Sequence, residues 1–420
     1  MIYLKNPSEP DLIQALKRPE GFAENLKVKV ESILNEVKLK GDQSLKSFTK
    51  SFDGVELDQL FYPVPKDLEI PENLKSAFQE AVSNIEIFHK AQVPKPLKIN
   101  PMSGITCEML YSPVQRVGLY VPAGTAPLLS SLIMLFIPAK LAGVSEIIVA
   151  SPPTKNQSPD PKILALAAFL GIDEILMLGG AQAIAAMAYG TESIPKVDKI
   201  FGPGNSFVNE AKKQVQAQGI AIDLPAGPSE LMVVADRTAN PSYLVSDLLS
   251  QAEHSADAQV VCLCLDSSLP SKIQKEIKVQ TESLPRKEII KEALKTSVVV
   301  ELEDKGQALS IINSYAPEHL SLQVKAPRSW LDEIKNAGSI FLGNHSPEAA
   351  GDYASGTNHT LPTGGAAKAY GGVSLMSFMK SMTVQEINLS GLKSISKTVE
   401  TLAEAEGLMA HAQSLKIRCK

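Results

Sequence analysis

The sequence predicts an α/β protein made of two doubly wound halves, each a largely parallel sheet with helices on both faces. Three observations lead there. Short apolar runs alternate with helical stretches from Val117 to Tyr189, and a second series of the same kind runs from Glu230 to Gly343. Gly-rich turns close several of the runs, where open α/β sheets bind their ligands.

The elements follow in order. Before the first series the chain reads as mainly helical: Glu20 to Lys40 and Pro71 to Lys90 space apolar residues three and four apart between charged ones. The first series is then VGLYV, a helix over Leu128 to Gly143, EIIVA, a helix over Lys162 to Leu170, EILML, and a helix over Ala181 to Tyr189. The second is ELMVVA, a helix opening at Pro241, AQVVCLCL, helices between about 270 and 294, SVVVEL, a helix over Gly306 to Tyr315, LSLQV and GSIFLG. From about Met376 the chain changes. It has no clear strand after MTVQEI and ends in a helix over Ser394 to Ser414, an appendage that needs a partner surface.

Bulk properties narrow the function classes. A chain of 420 residues exceeds one ordinary core and suggests two or three domains. Hydrophobic residues at 44% and charged residues at 21% are those of a globular protein. The net charge of -5, with Lys and Arg scattered, lacks the basic face that nucleic acid requires. Cys107, Cys262, Cys264 and Cys419 show no CxxC pair and read as reduced thiols of a cytosolic protein. The N-terminus has Pro and acidic residues where a signal peptide would be apolar. The most apolar segment, Leu128 to Gly143, is broken by Pro138 and Lys140 and is shorter than the roughly 20 residues of a membrane span. A cytoplasmic protein, with no membrane or nucleic-acid partner, is expected.

Chemistry concentrates in a few segments. Gln251 and His254, at the end of the helix from Pro241, project from one face and could both meet a metal, or could be a solvated helix end. In Ala316-Pro317-Glu318-His319 the proline biases Ala316 toward an extended conformation, and the turn presents two titratable groups as a base and a carboxylate, or as a plain surface turn. The Gly-punctuated loop holding Asp352 and His359 can fold against another segment, or only connect. Glu406 and His411, five apart, point about 140° from one another on a helix and suit different roles. Turns at Val121 to Thr125, Leu178 to Gln182, Phe201 to Asn205 and Pro225 to Ser229 support a nucleotide or small-molecule crevice, but none is a GxGxxG fingerprint.

Taken together, GLYVPAGTAPLLSSLIML, GGAQAIAAMAYGT, IFGPGNSFVNEAKKQV, DLPAGPSELMVVAD, QAEHS, APEHL, GDYASGTNHTLPTGG and AEGLMAH resemble the histidinol dehydrogenase family, in its order and over essentially the whole chain. The resemblance implies a zinc-dependent, NAD-linked oxidation of L-histidinol to L-histidine in two hydride transfers, by an intertwined homodimer with shared active sites. It implies one zinc per subunit on Gln251, His254, Asp352 and His411, with His411 supplied by the other subunit. Catalytic roles fall to Glu318 and His319. Substrate contacts fall to Ser229, Gln251, His254, His319, Asp352, His359, Glu406 and His411, and NAD contacts to Tyr120, Gln182 and Asn205.

The implied domain plan has incomplete Rossmann-like halves: 120–228 for NAD, and 21–119 with 229–374 for zinc and substrate. Residues 1–20 and 375–420 would be helical appendages, the second reaching the partner's site. Ala123 stands where the family commonly has Gly, which would strain the cofactor loop if that position needed positive φ. Three competing readings remain in view. One is a related dehydrogenase of another alcohol, one a hydrolase using Glu318 on metal-bound water without NAD, and one a silent zinc-binding protein.

Overall fold

The computed structural model describes residues 1–18, 23–123, 127–225 and 227–420. The expected helix onset at Glu20 and the turn residues Gly124, Thr125 and Ala226 lie outside them. The chain begins with β1 (Ile2–Lys5), α1 (Glu9–Ala15), α2 (Ala23–Phe48), β2 (Phe61–Pro63) and α3 (Glu72–Lys90). A hairpin of β3 (Leu97–Met102) and β4 (Ile105–Pro113) follows. Next come β5 (Arg116–Tyr120), α4 (Leu129–Ala142), β6 (Glu146–Ala150), α5 (Pro161–Leu170), β7 (Glu174–Leu176), α6 (Gly180–Tyr189), β8 (Lys199–Phe201), α7 (Ser206–Ala217) and β9 (Ala221–Ile222). The second series is β10 (Glu230–Ala235), α8 (Pro241–Ala252), β11 (Gln259–Cys264), α9 (Leu269–Ser283), α10 (Lys287–Ala293), β12 (Val298–Glu301), α11 (Lys305–Tyr315), β13 (His319–Gln323), β14 (Ser339–Leu342) and α12 (Glu348–Tyr353). The tail is β15 (Met379–Ile387), α13 (Leu389–Ala405) and α14 (Met409–Arg418).

Both expected sheets form. One has the order β1-β12-β11-β10-β13-β14, parallel throughout, and the other β2-β7-β6-β5-β8-β9, parallel except where β2 meets β7. Each is covered on both faces, so its strands are apolar without alternation. In β10, Leu231, Val233 and Ala235 pack toward α8, α9 and α10, while Met232 and Val234 pack toward α11 and α1. In the other sheet α2, α6 and α7 cover one face and α3, α4 and α5 the other.

Three expectations change. The first 20 residues are not only helical, because β1 completes the edge of the first sheet beside β12. The stretch 21–119, grouped by the implied domain plan with the substrate half, supplies β2, β5, α2 and α3 to the other half. The single terminal helix is two, because Gly407 (φ 74°) ends the first in a left-handed conformation that glycine adopts without steric cost. The tail also begins with nine residues of β15 paired along β4. A third sheet, β15-β4-β3, results.

Candidate active site

The first residues of β10 and β13 lie side by side, with Leu231 in register with His319. Helix α8 leaves the carboxyl end of β10 and returns, so its C-terminus brings Gln251 and His254 back to this amino edge. Short α12 adds Glu348 and Asp352, one helical turn apart. This departs from the usual ligand edge of α/β sheets, and the reversal of α8 is its cause.

The Glu230 peptide holds Glu318 and His319 from its two ends. Its N–H donates to Glu318 Oε2 at 2.8 Å, and its carbonyl lies 3.1 Å from His319 Nδ1. That contact commits the Nδ1 proton to the carbonyl and leaves Nε2 as the ring nitrogen that can gain or lose one. Nε2 is buried without a hydrogen-bond partner, 3.7 Å from Asp352 Oδ1 and 3.9 Å from Glu348 Oε1. Burial acts to lower the His319 pKa, but the carboxylates of Glu318, Glu348 and Asp352 outweigh it and push it up to about 10.

His254 Nε2 is 3.9 Å from Asp352 Oδ2, and His254, Glu348 and Asp352 each offer an atom within 4.8 Å of the others. Nitrogen and oxygen donors in such a cluster suit zinc. Gln251 is buried against the same group: in the orientation that satisfies its amide, the nitrogen donates to Glu348 and the oxygen accepts from Glu230 N–H at 3.0 Å. Ser250 also donates to Glu348, at 3.2 Å. Glu348 is the member of this cluster that sequence reasoning missed, although its i, i+4 spacing to Asp352 was visible. The pKa of its carboxyl is raised, above all by burial.

His359 joins the two halves. Its Nδ1 is 3.8 Å from Asp352, and its Nε2 is 3.3 Å from Ser131 Oγ on α4. Burial lowers its pKa against the pull of Asp352. Ser229 is half-buried just before Glu230 and accepts from Gln259 N–H through its carbonyl. The structure does not bring Glu406 and His411 to this group within one chain. Both are exposed, and α14 packs on α13.

Ala316 departs from its expected extended conformation. It caps α11 in the left-handed region (φ 54°, ψ 68°), its N–H donating to Ile312 O at 2.8 Å. The helix must stop there for the chain to enter β13, and that requirement overrides the preference of a residue before proline.

The other sheet presents Tyr120, Gln182 and Asn205 at the carboxyl ends of β5, β7 and β8. The strand order reverses between β5 and β8, which makes the carboxyl edge there a topological switch point. Tyr120 Oη accepts from Gly180 N–H at 3.1 Å, tying it to the turn that leads into Gln182. Asn205 caps α7, accepting from the N–H groups of Phe207 and Val208 at 3.1 Å. Gly202 holds φ 128° against the Tyr120 carbonyl, a position where a side chain has no room. Lys212 and Asp223 brace it from both sides of its peptide. Ala123 is not among the residues with positive φ, so the anticipated strain there does not arise.

The histidinol dehydrogenase family model matches residues 16–419. The chain is 46% identical over 411 residues to histidinol dehydrogenase of Xanthomonas campestris pv. campestris (strain 8004), covering 96% of this chain and 95% of that protein. This chain belongs to the histidinol dehydrogenase family. The histidinol dehydrogenase of Photobacterium profundum is 45% identical over 421 residues, 99% of this chain and 94% of that one. The crystal structure of histidinol dehydrogenase from Elizabethkingia anophelis superposes with a TM-score of 0.96 at 42% identity, covering 100% of this chain and 98% of that one. An acetylating aldehyde dehydrogenase from Geobacillus thermoglucosidasius, with a TM-score of 0.50 at 14% identity over 86% of this chain and 90% of that one, shares the fold alone. As a histidinol dehydrogenase, the chain is an NAD-linked oxidoreductase that converts histidinol to histidine.

Proposed function

We propose that the amino edge of the first sheet is the site of this oxidation. The observation that carries the reading is His319, whose Nδ1 is committed to the Glu230 carbonyl while its buried Nε2 has no partner and faces the candidate metal cluster. Nε2 takes the proton of the substrate's hydroxyl as hydride leaves for NAD, giving an aldehyde that stays in the site. Glu318, fixed by Glu230 N–H, then activates water to form the hydrate, which loses the second hydride to a fresh NAD. Tyr120, Gln182 and Asn205 bind the dinucleotide at the switch point. Ser229, His359 and Glu406 contact the substrate, and the His359–Ser131 contact sets the spacing between the two halves.

Gln251, His254 and Asp352 are the one-chain donors we assign to zinc. Bound there, zinc would fix the substrate's amine and imidazole nitrogens and offset the carboxylate charge that now favours protonated His319. A fourth donor, His411 of the partner subunit, completes the set. Support for a second copy comes from the tail, where Met382, Val384, Ile387, Leu389, Leu402 and Met409 stand exposed on β15, α13 and α14. Such a face is what a homodimer would cover. No helix among the described residues is long and apolar enough to cross a membrane. The four cysteines are free, which agrees with work in the cytoplasm.

Mixing tests the shared site. H319N and H411N chains, each inactive alone, regain activity when refolded together, since one of the two sites in a mixed dimer carries both native residues. Absence of recovery, with mixed dimers demonstrated by co-purification through an affinity tag carried by only one of the two chains, would contradict the shared site. Zinc content gives a second readout: H411N and D352N are expected to hold less than one zinc per chain, and H319N a full complement.

A further inference from the structure

The Glu230 peptide positions both Glu318 and His319, so whatever holds Glu230 acts on both. Its side chain is buried and takes two bonds from one arginine: Arg18 Nε donates to Oε1 at 2.5 Å and Arg18 Nη2 to Oε2 at 2.9 Å. Oε1 also accepts from Gly364 N–H at 3.0 Å, in the loop that follows His359. The same Nη2 donates to the Tyr315 carbonyl at 2.7 Å, and the guanidinium lies over the Tyr315 ring at 3.9 Å from its centroid. Tyr315 ends α11, three residues before Glu318. One guanidinium thus ties together the head of β10, the turn carrying Glu318 and His319, and, through Glu230, the loop beyond His359.

Arg18 reaches this place from outside the catalytic segments. It follows α1, whose Leu12 and Ala15 pack with the capping Leu16 on the core of the first sheet, and β1 fixes the start of the same arm against β12. None of its partners is a residue assigned to substrate or zinc. The planar fork of arginine matches a carboxylate and a carbonyl at once, which a lysine ammonium cannot do.

We propose that Arg18 is a positioning residue: through the Glu230 carboxylate and the Tyr315 carbonyl it sets where Glu318 and His319 stand, so that docking of the N-terminal arm is required for turnover. The inference rests on the reading of Glu318 and His319 as the acting groups. A displacement of about 1 Å at a reacting atom costs up to roughly 100-fold in rate. R18K is therefore expected to lower kcat for L-histidinol by ~10- to 100-fold, with KM changed less than about threefold and zinc content equal to wild type.

A double-mutant cycle supplies the readout that a merely stabilising contact would not move. If Arg18 acts through Glu230, R18K combined with E230Q loses little more kcat than the worse single variant; independent roles would multiply the losses. In R18A, added guanidinium is expected to restore part of kcat without changing KM. Wild-type kcat in R18K, multiplicative losses in the cycle, or losses that only track melting temperature and zinc content would each overturn the proposal. Wild-type protein that forms no NADH from L-histidinol would instead sink the underlying reading of the site.

Discussion

Replacing His319 with Asn removes one reactive atom and leaves its frame in place. The carboxamide nitrogen can make the donation to the Glu230 carbonyl that Nδ1 now makes across 3.1 Å, so the head of β13 keeps its anchor. Nothing replaces Nε2, which sits buried and unpartnered 3.7 Å from Asp352. Asn has no basic atom, and the hydroxyl proton of the substrate then has nowhere to go as hydride departs. A positioned base contributes roughly 10²- to 10⁴-fold, which at about 1.4 kcal/mol per factor of ten raises the barrier by roughly 3–5.5 kcal/mol. The assay is the initial rate of NADH formation at saturating L-histidinol and NAD, with zinc content and melting temperature measured on the same preparation. The expected result is a fall in kcat of that size with zinc unchanged. A rate within about threefold of wild type, with zinc present, would place the base elsewhere and refute the argument from the Nδ1 lock.

Other predictions follow from the same geometry. E318Q is expected to slow oxidation of supplied histidinal by roughly 10-fold or more while slowing the histidinol half-reaction less, since only the former needs activated water; equal losses would contradict the assignment. G202A puts a methyl group against the Tyr120 carbonyl at φ 128°, and is expected to raise KM for NAD by roughly 10-fold or more with zinc content unchanged. Asp247 gives a pH-dependent case away from the chemistry: burial pushes its carboxyl up to about 7, opposed by the Gln323 amide that donates to it at 2.8 Å. Between the unfolded value of about 3.9 and that raised value the folded chain holds more protons than the unfolded one, so this residue's contribution to stability falls as pH rises through the window. D247N keeps an acceptor for Gln323 and carries no charge, so it is expected to gain roughly 1–3 kcal/mol over wild type at about pH 8 and almost nothing below about pH 4, read from melting temperatures at the two pH values.

The sheets were legible because strands covered on both faces read as unbroken apolar runs, as in ELMVVA and AQVVCLCL, and the helices between them keep a clear period. The β3–β4 hairpin was not. Leu97–Met102 is exposed along its length, and its Leu-Lys-Ile-Asn alternation is only four residues long before Pro101 interrupts it. Gln251, His254, Glu318, His319 and Asp352 were candidates by residue type and spacing, with roles implied only by the resemblance, and the structure brings them to one edge. What the pattern could not give was the agent of that convergence. Glu230 looks like the polar start of an apolar strand, and Arg18 like one more basic residue after a short helix; their importance lies in contacts spanning more than 200 residues. Glu348 stayed hidden for a similar reason, since a carboxylate four residues from another on a loop-like stretch is common on solvated surfaces. Ala316 reversed its local preference because ending α11 and entering β13 left one conformation open.

In the proposed function, one site carries out both oxidations with zinc bound. The most direct test is the NADH formed per L-histidinol consumed by the purified protein, before zinc removal, after chelation, and after zinc is restored. Two NADH per histidinol are expected, with loss of the reaction on chelation and its return with zinc. One NADH with released aldehyde, or no NADH from protein that holds zinc, would contradict that function.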